Sequence, residues 1–417
     1  MYTFSQNLNK LYNLQSCNIS HSYFHSTIKE NDLGSRMNRI LEIFIVALKL
    51  GITSFGGPTA HLGYFREEYV EKRKWLSDKV YQDLVALCQF LPGPASSQVG
   101  MAIGMMRGGM LGGIAAFLGF TLPSVLILIL AVRLMPDSIE WIQGLKLVAV
   151  AVVLHALIGM AKGSLNSWQT VGLALLALLA CLYVPSAITQ IAIIVISGII
   201  GILIFKANHQ PGEVLNLPVS RRTGTICLGL LFILLIGLPV FTNILHNDWL
   251  TIFDKFYRSG LLVFGGGHVV LPLLEREFVP MFLQPDDFLA GYGLAQAVPG
   301  PLFTFASYIG AVIGGLWGGL FAMIAIFLPA FLLVAGCLPF WQQIREKSLM
   351  RKALIGINAG VIGILAAAWI HPIISHTLFD IKDYFLFILL FCCLHYFKLA
   401  PWIIVLMGLV IGLVFYR

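Results

Sequence analysis

Two tripeptides, Pro92-Gly93-Pro94 and Pro299-Gly300-Pro301, sit inside long apolar runs. Proline withholds an N–H and clashes with the preceding turn, and glycine frees the dihedrals, so neither stretch can be regular helix. Such a break bares backbone donors. The helix restarting after Pro94 begins Ala95-Ser96-Ser97-Gln98. Ser96 or Ser97 can cap it, leaving other N–H groups aimed at the break. A helix N-terminus carries roughly half a positive charge and suits an anion. Gln89 and Gln296, just upstream, and Thr304, just downstream of Pro301, add neutral polar contacts. The chemistry is reversible anion binding by neutral donors. The plainer alternative is a pair of structural kinks.

A second pair of breaks is rich in glycine. Phe55-Gly56-Gly57-Pro58 is followed by His61, and Phe264-Gly265-Gly266-Gly267 by His268. Small residues allow close backbone approach or an anion-binding nest of N–H groups. A lone histidine near a membrane interface is usually a hydrogen-bonded side chain. Paired occurrence makes His61 and His268 candidates for substrate or proton handling. Glu68 and Glu277 are the carboxylates that recur beside these breaks. They are candidate proton carriers, the alternative being solvated loop charges paired with Arg66 or Arg276. Arg107 and Lys146 read as helix-end anchors, the alternative being a role in holding substrate.

The elements that position these residues must lie in a membrane. Of 417 residues, 58% are hydrophobic and 11% charged, with a mean hydropathy of +0.86. Soluble proteins carry about 25% charge. The composition excludes disordered, collagenous and disulfide-scaffold classes and predicts an all-α polytopic membrane protein. Apolar segments fall at about 39–55, 84–106, 109–133, 145–162, 169–183 and 187–205. Others follow at 224–243, 257–274, 286–312, 313–336, 352–370, 384–397 and 400–416. Several are short or broken, so about ten crossings are expected. Over 39–83 a re-entrant hairpin and a full crossing fit equally well. The polar residues 1–36 read as a mobile N-terminal tail, with a transit peptide as the alternative. Residues 206–223 read as a linker. The seven cysteines form no CxxC or Cys/His cluster, and no metal site or cofactor is expected.

The chain repeats itself. Beyond the two kinds of break, Glu68-Tyr69-Val70 matches Glu277-Phe278-Val279. Gly108-Gly109 with Gly112-Gly113 matches Gly314-Gly315 with Gly318-Gly319, and Leu122-Pro123 matches Leu328-Pro329. All matches lie 206 to 209 residues apart in one order. The glycine pairs have the spacing of tight helix packing. The expected units are a first repeat over 37–205 and a second over 224–417, the second with an extra leading helix. Loop 66–83 holds Arg66, Lys72, Arg73, Lys74 and Lys79, whereas 275–287 holds only Arg276. Cytoplasmic loops collect Lys and Arg, so equivalent loops are expected on opposite faces, as inverted repeats require. The net charge of +7 is then a record of topology as much as a lure for anions.

There is no Walker A motif, HExxH or nucleophile elbow, so neither an enzyme nor a primary pump is expected. The run Phe55-Gly56-Gly57-Pro58-Thr59-Ala60-His61 resembles the chromate transporter family in its long, two-domain form. So do Glu68 with Arg73-Lys74-Trp75-Leu76, Gln89-Phe90-Leu91-Pro92-Gly93-Pro94, Phe264 to His268 and Val298 to Pro301. The resemblance spans about 39–415. It implies a multi-pass protein of the bacterial inner (plasma) membrane that exports chromate and confers chromate resistance, driven by membrane potential or a proton gradient. Gly267 stands where the first repeat has Pro58, so the two breaks need not be equivalent. Alternatives are transport of sulfate or another oxyanion, or a passive anion channel. The expected partners are chromate or sulfate and the lipid bilayer, with room for a homodimer and no nucleic acid.

Overall fold

The computed structural model describes residues 34, 36–134, 139–206, 219–264, 267–279, 281–341 and 348–416. Most of the expected tail and linker, and the candidates Gly265 and Gly266, lie outside them. The described residues are helical, with no strand among them.

The first repeat opens with α1 (36–53), a break at 54–56, and α2 (Gly57–Phe65), which runs on through a π-helical turn to Lys72. Lys49 meets Glu68 and Glu42 meets Arg73. Earlier residues of one arm thus pair with later residues of the other, so the arms are antiparallel. Residues 36–72 form a hairpin whose tip is the glycine break, the shape that the hairpin alternative over 39–83 requires. α3 (Asp78–Phe90) is capped by Ser77 and leads to the second tip, Leu91–Pro94. α4 (Ala95–Leu134) follows, broken at Gly108 and Gly109. Arg107, at the end of its first arm, pairs with Glu42, so the second hairpin shares its base with the first. Gly109 has φ 63° and ψ −157°, a region essentially reserved for glycine. Gly104 and Gly112 then touch backbone to backbone, so the chain reverses there. The glycines expected to pack helix on helix instead make a helical hairpin, with Gly104 as the partner of Gly112.

Three helices complete the repeat: α5 (Ile139–Ser164), α6 (Trp168–Tyr183) and α7 (Ala187–Ile204). α8 (Arg221–Leu245) has no counterpart in the first repeat. The second repeat follows the same plan with α9 (Asp248–Leu261), α10 (Val270–Phe278), α11 (Pro285–Ala295) and α12 (Phe305–Cys337). It ends with α13 (Ser348–Ala368), α14 (Ile381–His395) and α15 (Pro401–Phe415). Gly315, with φ 62° and ψ −148°, repeats the Gly109 turn, and Gly310 against Gly318 repeats the close contact.

The repeats interlock. α5 is buried on every side from Leu145 to Val153, as suits a helix apolar all round. It packs against α11, α14 and α15 of the second repeat, while α13 packs against α6 and α7 of the first. The far arms of α4 and α12 touch at Phe117–Phe327 and at Ile129–Gly319, so these equivalent helices run antiparallel. The tips also meet. The Gly93 N–H donates to the Val263 carbonyl at 2.7 Å, and the Gly300 N–H to the Ser54 carbonyl at 2.8 Å. Residues 54 and 263, and 93 and 300, are repeat equivalents, so one contact is made twice.

Six stretches are long and apolar enough to cross a membrane: Ala95–Leu134, Ile142–Ser164, Ala187–Ile204, Arg221–Leu245, Leu302–Phe340 and Leu349–Ile374. The shorter Trp168–Tyr183 and Pro401–Phe415 are also apolar. This is a multi-pass membrane architecture. The two longest stretches, Ala95–Leu134 and Leu302–Phe340, each fold back at a glycine pair. Leu176, Leu179, Ile233, Ile236 and Phe385 stand more than half exposed, as lipid-facing residues do.

Ala at 109 or 315 meets no atom within 4 Å, so such a substitution isolates backbone strain. Gly109→Ala and Gly315→Ala are each expected to destabilise the protein by about 1–3 kcal/mol. Heating in detergent, with the monodisperse fraction followed by size exclusion, measures this. An unchanged midpoint would refute the turn assignment.

Candidate functional site

A cavity of about 710 Å³ lies where the first glycine tip of one repeat faces the Pro-Gly-Pro tip of the other. Phe55, Gly56, Gly57 and Pro58 form one wall, and Ala295, Gln296, Val298, Gly300 and Leu302 the opposite one. His268, Val152 and His155 of α5, and Leu394, His395 and Lys398–Trp402 around the turn between α14 and α15 complete it. Gly56 (φ 97°), Gly57 (φ 79°) and Gly300 (φ 97°) are all left-handed. A Cβ on Gly300 would collide with Ser124 Oγ, which donates to the Pro299 carbonyl at 2.5 Å. The tip is therefore closed against Ser124 on its outer side. The Gln296 amide lies beside the Tyr292 hydroxyl, and its buried Nε2 makes no well-formed hydrogen bond. The same hydroxyl is 2.6 Å from His268 Nδ1. Thr304 is spent locally, donating to the Pro301 carbonyl at 2.7 Å.

The sequence candidates thus divide. Gly56, Gly57, Pro58, His268, Gln296 and Gly300 converge on the cavity, with Pro299, Pro301 and Thr304 shaping its tip. Pro92, Gly93 and Pro94 form the other tip, where Gln98 Nε2 donates to the Pro92 carbonyl at 2.8 Å. His61 is packed behind the glycine break, 1% exposed, with Nδ1 3.3 Å from Ser96 Oγ and its ring against Phe120. Gln89 is exposed, unlike its equivalent Gln296.

Sequence reasoning missed His155, His395, Lys398, Tyr64 and Trp402, all on the cavity wall. His155 Nδ1 lies 3.2 Å from His395 Nδ1. A histidine within an apolar helix is a functional signal by itself, but His155 has no histidine counterpart on α13. Among the described residues no three His, Cys, Asp or Glu side chains are placed to hold a metal ion.

Charge gathers at the hairpin bases. Glu68, 4% exposed, accepts from Lys49 at 2.8 Å and Arg73 at 2.9 Å. Arg73 also reaches Glu42 at 3.2 Å, and Arg107 at 2.7 Å lies over the Trp75 ring. In the second repeat Glu277 pairs with Lys255 at 2.6 Å, and Arg258, at the position of Lys49, pairs with Asp254. Lys146, 3% exposed, reaches Asp286 at 2.7 Å.

The profile of the Chromate transporter family matches residues 41–202 and 250–413. The chain belongs to that family. It is 27% identical over 400 residues to an uncharacterized transporter of Methanocaldococcus jannaschii, covering 93% of this chain and 98% of that protein. It is 29% identical over 342 residues to the chromate transport protein of Pseudomonas aeruginosa, covering 79% and 80%. It is 25% identical over 390 residues to that of Cupriavidus metallidurans, covering 90% and 93%. No solved structure matches significantly. The two matched regions contain the paired tips and bases and leave α8 outside.

Burial pushes the Glu68 carboxyl up, but Lys49 and Arg73 outweigh it and hold the group below its ordinary 4.5. A depressed carboxyl contributes stability above its unfolded value and loses it as pH falls through the folded one. Glu68→Gln is expected to cost about 1–3 kcal/mol at pH 7, its cationic partners being partly exposed. Thermal midpoints of the two proteins should converge as pH falls well below the ordinary carboxyl value of 4.5. A gap that persists there would refute the ion-pair account.

Proposed function

We propose that this protein is a secondary transporter that exports chromate across the inner membrane by alternating access between inverted repeats, and so confers chromate resistance. The observation that carries the reading is the cavity itself, built from a broken tip of each repeat. Its left-handed glycine turns and the Gln296 amide, whose buried Nε2 lacks a well-formed hydrogen bond, suit an oxyanion that must also be released. The relatives named for chromate transport supply the substrate. The antiparallel pairing of equivalent helices supports inversion, because a parallel duplication would leave them parallel. The charge distribution supports it too. Loop 66–83 of the first repeat carries Arg66, Lys72, Arg73, Lys74 and Lys79, whereas its counterpart 275–287 carries only Arg276. By the excess of basic residues the first set faces the cytoplasm. Tyr64, two residues before Arg66, and exposed Lys398 support a cavity mouth toward that face.

Outward movement suits the driving force. A dianion leaving a negative interior gains about 4.6 kcal/mol per 100 mV, so a proton gradient is not required for export. The paired state of Glu68 and Glu277 fits a structural role better than proton carriage. Transport of sulfate or another oxyanion would use the same donors.

Labelled chromate uptake into everted vesicles, interior positive, tests the reading. Wild type should accumulate chromate saturably, with sulfate as a competitor. Gly300→Val, whose side chain is forced against Ser124 and the tip, should reduce uptake at least about tenfold, more than 1.4 kcal/mol in transition-state terms. No chromate movement by wild type would overturn the proposal. Uptake that rises without saturation would favour a channel.

A further inference from the structure

The cavity wall outside the breaks carries a pair of imidazoles. His155 on α5 and His395 at the end of α14 face each other with Nδ1 atoms 3.2 Å apart and rings edge to face. Lys398 and His268 lie on the same wall, and no Asp or Glu is among the described lining residues. Two imidazoles at this distance share one proton between their Nδ1 atoms, one ring donating and the other accepting. In the neutral pair the accepting ring carries its proton on Nε2, and the donating ring has a bare Nε2. One more proton fits on that bare nitrogen with the shared bond intact. A second would put protons on both Nδ1 atoms and drive the rings apart. The pair therefore switches between neutral and +1, and in the charged state both Nε2–H groups are donors.

We propose that the His155–His395 pair, with Lys398, is the cationic wall of the binding cavity, and that it takes one proton from solvent as a tetrahedral oxodianion enters. This rests on the transporter reading above and specifies how its substrate is recognised. The other titratable groups around the pair are His268 and Tyr64 on the wall and Tyr396 against the His395 ring. Cys392 and Cys393 lie on α14, and Lys162 two turns along α5. None of these is an anion at neutral pH. The entering dianion is then the negative charge that favours the protonated pair.

The test uses the full chain in lipid nanodiscs at pH 7.5, weakly buffered with a pH dye, with chromate as the probe. Wild type should take up about one proton per chromate bound. His395→Lys fixes the charge, and should bind chromate with no proton uptake. The double variant His155→Gln/His395→Gln should abolish uptake and weaken binding about tenfold or more, the loss of one cationic contact. Lys398→Gln, on an exposed turn, should weaken binding while uptake remains. Unchanged affinity in the double variant, or uptake persisting in it, overturns the proposal and leaves the transport reading standing. If the double variant is not monodisperse, His395→Lys decides alone, and uptake persisting there overturns the proposal. Wild type that neither binds nor moves chromate overturns both.

Discussion

Backbone N–H and C=O groups cannot stay unpaired in hydrocarbon, where each costs several kcal/mol. A chain with four helix breaks at membrane depth must therefore find partners for them. Here each repeat supplies the other's. Gly93 donates to Val263 and Gly300 to Ser54, so the Pro-Gly-Pro tip of one half is completed by the carbonyl before the glycine break of the other. Neither half can satisfy its own breaks in this way. The interlock of α5 and α13 follows the same logic, since each long helix is wrapped by the opposite repeat. The glycines at these crossings matter for closeness more than freedom: Gly144 against Gly408 and Gly293 against Leu145 meet backbone to backbone.

Once the skeleton is made symmetric by this exchange, function must come from what breaks the symmetry. Pro58 faces the cavity where the second repeat has Gly267. Gln296 turns into the site while Gln89 stands exposed. His155, His395 and Lys398 crowd one side of the molecule without duplicates on α13, α6 or α7. A symmetric frame lets the two sides exchange geometry, and asymmetric side chains let them bind differently, which a directional carrier needs.

Much of this was legible in the sequence. The Gly and Pro motifs marked the four tip breaks, because proline and clustered glycine cannot continue a helix, whereas the reversals at Gly109 and Gly315 read as helix packing. Repeat offsets identified α8 as the helix without a partner. The hairpin over 36–72 stayed ambiguous, since an apolar arm and an apolar crossing look alike until Glu42–Arg73 and Lys49–Glu68 show the arms side by side. His155 and His395 were missed for a different reason. Duplication was the filter that separated functional from structural residues, and a residue that breaks symmetry fails it by definition. Nor does repeat spacing say which tip meets which, because that depends on packing between segments some 200 residues apart.

The excess of basic charge can now be placed. Arg66, Arg73 and Arg107 are tied to carboxylates or laid over Trp75 at the hairpin bases, so they orient the chain and leave little free charge for a ligand. A permanent arginine inside the cavity would bind a dianion strongly in both conformers and slow its release. Backbone donors at bent tips carry no net charge, and an imidazole pair can lose its charge to solvent when the anion leaves. A site assembled from such groups would hold a doubly charged ion with a strength that changes over a transport cycle, and such a change is what separates a carrier from a trap.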